Sequence, residues 1–98
     1  MSLPVILRPE AESDVQEIYE SLEQTRERLG NKFLTRLREM LERIESFPEI
    51  YGVVWQDVRA GRLKKFRYVV YYVVFPDRIE IIAVMHGARR SSTWRSRR

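Results

Sequence analysis

The sequence predicts an α+β domain: a short N-terminal strand, an antiparallel helical hairpin, then a three-stranded antiparallel β-meander with the helices packed on one face of the sheet. Three observations carry this reading. Between residues 11 and 47, apolar residues recur at spacings of three and four, the period of a helix face. After Gly52 that period gives way to runs rich in Val, Ile, Tyr and Phe, interrupted at Pro76-Asp77. The chain has 98 residues, 44% of them hydrophobic and none of them cysteine, which suits one core over residues 1–98 without a disulfide framework.

Val5-Ile6-Leu7 is an apolar run ended by Arg8-Pro9 and reads as the first strand. Pro9 suits the first helical position, and Glu10, Glu12 and Asp14 favour the positive end of a helix dipole. The first helical stripe is Ala11, Val15, Ile18, Tyr19 and Leu22. Gly30 reads as its stop and Asn31 as the start of the next helix. The second stripe, Phe33, Leu34, Leu37, Leu41, Ile44 and Phe47, is closed by Pro48. So short a link makes the two helices pack antiparallel. Residues 53–59 read as a strand, Ala60-Gly61 as a two-residue turn, and residues 63–75 and 78–86 as the last two strands.

With Pro76-Asp77 as a hairpin tip, Phe75 pairs with Arg78 and Tyr72 with Ile81. Continuing that register pairs Val70 with Ala83, Tyr68 with Met85, and Arg67 with His86. Side chains alternate faces, so Tyr68 and Tyr72 are expected on the core, with Trp55 covering the same core. Lys65, Arg67 and His86 are then expected together on the opposite face, away from the helices.

Charge is divided along the chain. Residues 1–51 carry eleven acids and seven bases, whereas residues 52–98 carry three acids and eleven bases. The basic half should attract a polyanion or an acidic protein segment. The longest apolar run, residues 68–75, is far below the roughly 20 residues of a membrane helix. No signal-peptide pattern opens the chain, so a soluble, cytoplasmic protein with no membrane partner is expected. With one histidine and no cysteine, neither a His-rich nor a thiolate metal site is available, and no cofactor is expected.

The segments Phe66-Arg67-Tyr68-Val69-Val70-Tyr71-Tyr72 and Val84-Met85-His86-Gly87-Ala88-Arg89-Arg90, with this element order and charge division, resemble the RelE/ParE superfamily. These are toxins of bacterial type II toxin–antitoxin modules, often labelled plasmid stabilisation proteins. The resemblance extends from about Ile6 to Trp94. It implies a growth-inhibiting toxin neutralised by a cognate antitoxin. It also implies one of two targets: DNA gyrase for ParE-like members, or messenger RNA on the ribosome for RelE-like members, which cleave it without metal.

The RelE-like pattern wants lysines and arginines on the sheet and a tyrosine in the tail. Here Lys64, Lys65, Arg67 and Arg89 are present, but the tail aromatic is Trp94, whose indole cannot exchange a proton as a phenol does. Cleavage by an internal 2′-hydroxyl needs a base, an acid and positive charge for the phosphorane. If the chain is a nuclease, the candidate catalytic residues are Lys65, Arg67, His86 and Arg89, with His86 as base and the arginines as phosphate clamps. Arg59, Arg62, Lys64, Arg90 and Trp94 are the candidates for contact with nucleic acid or another target. For Trp94, packing on the sheet competes with base stacking. The tail arginines beyond it read as a terminal extension without fixed structure. The ParE-like, gyrase-directed reading is preferred. The alternatives are the ribosome-dependent nuclease and a non-toxic basic nucleic-acid binder.

Overall fold

The computed structural model describes residues 2–87 and 91–98. In chain order the elements are β1 (Val5–Leu7), α1 (Pro9–Thr25), α2 (Leu29–Ser46), β2 (Val53–Trp55), β3 (Val58–Arg62), β4 (Tyr68–Val74), β5 (Ile79–His86) and α3 (Ser91–Arg95). The expected α+β layering is present, but the sheet is not a three-stranded meander. It has five strands in the order β1-β5-β4-β3-β2, with β1 parallel to β5 and the other neighbours antiparallel.

The helical hairpin forms where the apolar periodicity places it, but its turn is made differently. Gly30 does not stop a helix; it is buried inside α2. A Cβ there would lie 2.8 Å from the Tyr19 carbonyl oxygen, so Gly30 is where the two helices come close. The reversal is made by Arg28, at φ 72°, and by Glu23. The Glu23 carboxylate accepts from the backbone N–H groups of Arg28 (3.1 Å) and Asn31 (3.2 Å), the latter a donor in the first turn of α2.

The β2–β3 turn is also displaced from its expected place. It falls at Gln56-Asp57, with Gln56 at φ 50°, and Ala60 and Gly61 lie inside β3. Gly61 is needed there because the Tyr51 ring rests on it, 2.8 Å from where a Cβ would stand. β4 begins later than expected. Residues 63–67 form the β3–β4 turn, with Lys65 at φ 70°.

The last hairpin keeps its expected tip, since the Phe75 N–H donates to the Arg78 carbonyl at 2.8 Å and Tyr72 pairs with Ile81. Beyond that pair the register slips by one. Tyr71 pairs with Ala83, Val70 with Val84 and Tyr68 with His86, leaving Ile82 as an extra, bulged residue on β5. A bulge reverses the facing of everything beyond it. Ile81 and Val84 join the helix-side core, while Ile82, Ala83 and Met85 join the opposite face. His86 therefore faces α1, and the expected Arg67–His86 pair is corrected to Tyr68–His86.

Both sheet faces are consequently covered. On the helix side Phe33, Leu37, Met40 and Ile44 pack on Val70, Tyr72, Ile79, Ile81 and Val84. Tyr72 is fully buried, with its hydroxyl donating to the Pro48 carbonyl at 2.7 Å, and burial raises its pKa above the usual phenol value. On the other face Trp94 of α3 lies stacked on Tyr71, with ring centroids 4.4 Å apart, and edge-on to Trp55. Trp55 thus belongs to this second core, not to the helix-side one.

The chain end beyond α3 is tied down, contrary to the expectation that it lacks fixed structure. Arg97 pairs with Asp14, and Arg98 makes two bonds to Asp57 at 2.6 and 2.7 Å. The guanidinium of Arg95 lies over the rings of Trp55 and Trp94.

Glu80 anchors the same face by accepting from Arg8 Nε at 2.6 Å and Arg78 Nε at 2.5 Å. The hydrogen bond from Arg8, then that from Arg78, hold its carboxyl below the ordinary glutamate range. A carboxyl whose folded pKa is depressed contributes stability above its unfolded pKa of about 4.3, and this is lost as pH falls through the folded value. Glu80→Gln is expected to cost about 1 kcal/mol at neutral pH and to flatten the fall of urea-derived stability below about pH 4.5. An unchanged acid slope in the variant would contradict this.

Candidate functional site

Two clefts open on the helix-bearing side of the sheet. Tyr68 lines one and Phe66 the other, and the two rings lie 6.5 Å apart as a wall between them. Both rings are held by Phe33 of α2, at 5.9 Å from Phe66 and 5.5 Å from Tyr68. Phe66, in the turn before β4, and Tyr68, at the start of β4, share a side because each ring meets Phe33 edge-on.

The first cleft is acidic. It lies against α1 and is lined by Asp14, Glu17, Ser21, Tyr68, Val84 and His86. His86 sits at the exposed end of β5 with its ring edge-on to Tyr68, centroids 5.9 Å apart. Asp14, one turn into α1, reaches the edge of β5 that β1 leaves uncovered after Arg8. There its carboxylate accepts from the Val84 N–H at 3.0 Å and from both terminal nitrogens of Arg97. Arg97 in turn donates to the Ile82 carbonyl at 3.2 Å, and Arg8 donates to the Arg97 carbonyl. The Asp14–Arg97 pair thus supplies the acceptor and donor that a longer β1 would have supplied.

The second cleft is basic. Arg26, Lys32, Arg36 and Lys65 stand around Leu29 and Phe66, in a volume of about 490 Å³. Lys64 lines a neighbouring recess with Arg36, Glu39, Arg43 and Leu63.

The residues expected to work together are therefore distributed. Lys65 is in the basic cleft and His86 in the acidic one. Arg67 is exposed in the bend before β4, where its carbonyl accepts from the Gly87 N–H at 2.7 Å. Arg89 and Arg90 lie outside the described residues. The expectation that Lys65, Arg67 and His86 share the face away from the helices does not hold for Lys65 and His86, because the bulge at Ile82 and the turn at Lys65 intervene.

Of the expected target-contact residues, Arg59 is half-buried and donates to the Tyr51 carbonyl at 2.8 Å, bracing the segment before β2. Trp94 is only 4% exposed. Arg62, at the end of β3, is exposed near Gly87 and Val69. Sequence reasoning passed over Asp14 as an anchor and over Lys32 and Arg36. The last two sit four residues apart on one face of α2, a spacing that was available to be read. Among the described residues no group of three or more His, Cys, Asp or Glu side chains could hold a metal ion, and no helix is long and apolar enough to cross a membrane.

A family model described as ParE toxin of type II toxin-antitoxin system, parDE, matches residues 5–91. Among solved structures, a chain titled as the chromosomal ParDE TA system from P. aeruginosa superposes with a TM-score of 0.77 at 15% identity, covering 87% of this chain and 96% of that one. At that identity the likeness speaks for the fold. No curated protein matches the sequence.

Proposed function

This chain belongs to the ParE toxin family of type II toxin–antitoxin systems, and from that premise we propose that it arrests growth in the cytoplasm by binding and poisoning DNA gyrase, without cutting RNA. As a toxin of such a system it has an antitoxin as its partner, and we infer that this cognate antitoxin neutralises it. One observation carries the choice of target. The groups that metal-free RNA cleavage would use together are split between two clefts, with His86 beside Asp14 and Glu17 and Lys65 among arginines and a lysine across the Phe66–Tyr68 wall. A base and its phosphate clamps must converge within hydrogen-bond reach of one phosphodiester. Trp94, packed on Tyr71, is also turned away from the base-stacking role considered for it.

The exposed cations at and beside the β3–β4 turn, Arg62, Lys64 and Arg67, are the target-contact residues in this reading. No ion pair engages them among the described residues. Arg59 and Trp94 contribute by holding β2 and the chain end in place. Arg90, which lies outside the described residues, is proposed from the sequence alone as a further target contact.

The direct test adds purified protein to gyrase, plasmid DNA and ATP. Cleaved plasmid is expected to accumulate, and Arg62→Glu with Lys64→Glu is expected to weaken this about tenfold or more. Undisturbed gyrase, with codon-positioned cleavage of ribosome-bound message instead, would assign the chain to the nuclease class.

A further inference from the structure

The sequence carries no acid between Asp57 and Asp77 and none after Glu80. The fold brings these two acid-free stretches together at one end of the sheet, where the β3–β4 turn meets the end of β5. Arg62 and Arg67 meet there at Gly87. The Arg67 carbonyl accepts from the Gly87 N–H at 2.7 Å, and Arg62 Nη2 lies 3.6 Å from where a Gly87 Cβ would stand. Lys64 stands on the turn between them and is exposed, as both arginines are. The turn is braced: Leu63 is buried, its N–H donates to the Tyr68 carbonyl at 2.9 Å, and the Phe66 N–H donates to the Leu63 carbonyl at 3.3 Å. At the other end of the sheet, by contrast, Arg8 and Arg78 are held by Glu80, and Arg98 by Asp57.

From this arrangement we propose that the Arg62–Lys64–Arg67 end of the sheet is a phosphate-contact surface for double-stranded DNA, so that the toxin holds the duplex as well as the enzyme acting on it. This deepens the gyrase reading above, on which it rests for where that duplex is met. Guanidinium forks bond phosphate oxygens in pairs, and cations on a fixed turn lose little freedom in doing so. Other polyanions suit the surface less well. A single strand stacks its bases on open aromatic faces, whereas the rings nearest this end, Phe66 and Tyr68, are half-buried and held by Phe33. An acidic peptide needs apolar surface to rest on. Among the described residues the exposed large apolar side chains are Ile6, Phe47, Ile50, Val53 and Val54, all on β1 or between the end of α2 and β2. Duplex DNA needs neither feature, because contacts to its backbone supply affinity without regard to sequence.

The test is the fluorescence anisotropy of a labelled DNA duplex titrated with the full chain, without gyrase, across a range of salt. Binding should not depend on sequence, and three phosphate contacts predict a slope of about −2.7 in log affinity against log salt, or about 40-fold between roughly 50 and 200 mM. Arg62→Gln with Arg67→Gln should lessen that slope by about 1.8 and weaken binding about tenfold or more, whereas Arg38→Gln, at an exposed position of α2, should change neither. The bond at Gly87 uses the Arg67 backbone, so the double variant is expected to fold with an unchanged Tm. Equal slopes for the double variant and the parent, or tighter binding of the single strand or of a glutamate-rich peptide, would overturn the proposal. Duplex binding with gyrase left undisturbed would sink the gyrase reading while upholding this contact. Full plasmid cleavage by the double variant would overturn this contact and leave the gyrase reading standing.

Discussion

Trp94→Ala is expected to lower stability by about 3–5 kcal/mol, the range for removing a large aromatic from a packed core. The indole is 4% exposed, stacked on Tyr71 and edge-on to Trp55, and it is the main apolar contact that α3 makes with the sheet. Its loss uncovers Val58, Val73, Ile82 and Met85, which the helices on the other face cannot reach. For a domain of this size each kcal/mol moves Tm by about 4–8 °C, so a fall of more than about 12 °C is expected in a thermal scan. Trp94→Phe should recover much of the loss, because a ring still fills part of the space. A change below about 1 kcal/mol would mean that the chain end stands off the sheet in solution.

Asp14→Ala is the second large effect, expected at about 2–4 kcal/mol. The carboxylate is one end of an ion pair whose side chains are only 14% and 20% exposed, and it also accepts the Val84 N–H. Truncation strands that donor at a sheet edge and leaves Arg97 without its counter-charge. The pair replaces the strand partner that β1 is too short to provide, so the cost should exceed that of an ordinary surface ion pair. A double-mutant cycle with Arg97→Ala should return a coupling of about 1–2 kcal/mol. Additive single-site losses would show that the two residues act separately.

Much of the architecture was readable because each helix carries one apolar stripe and the strands carry none at that period. The tip at Pro76-Asp77 was readable too, since proline and aspartate punctuate an otherwise continuous β run. The bulge was not. From Ile81 to Met85 every residue is apolar, so shifting the register by one places an apolar side chain on either face at no cost in burial. Alternation is the signal that reports facing, and here there is none.

The placement of the site inherits that ambiguity. His86 sits four residues beyond the bulge, and one inserted residue moves it from the far face to the cleft beside Asp14 and Glu17. Turn chemistry accounts for the other displacements. Arg28, Gln56 and Lys65 take positive φ values usually given to glycine, whereas Gly30 and Gly61 serve close approach of Tyr19 and Tyr51. The charge division was visible, but not that Arg78, Arg97 and Arg98 are consumed by ion pairs. The cationic surface that remains at Lys32, Lys64 and Lys65 lies on the helix side, next to an Arg36 that pairs with Glu39.

Induced expression of His86→Ala tests the central claim most directly. Because the imidazole is set apart from Lys65, the variant is expected to arrest growth as the parent does, with chromosomal DNA breaks and no new transcript ends. A folded variant that no longer arrests growth, set against a parent that produces codon-positioned transcript ends, would contradict it.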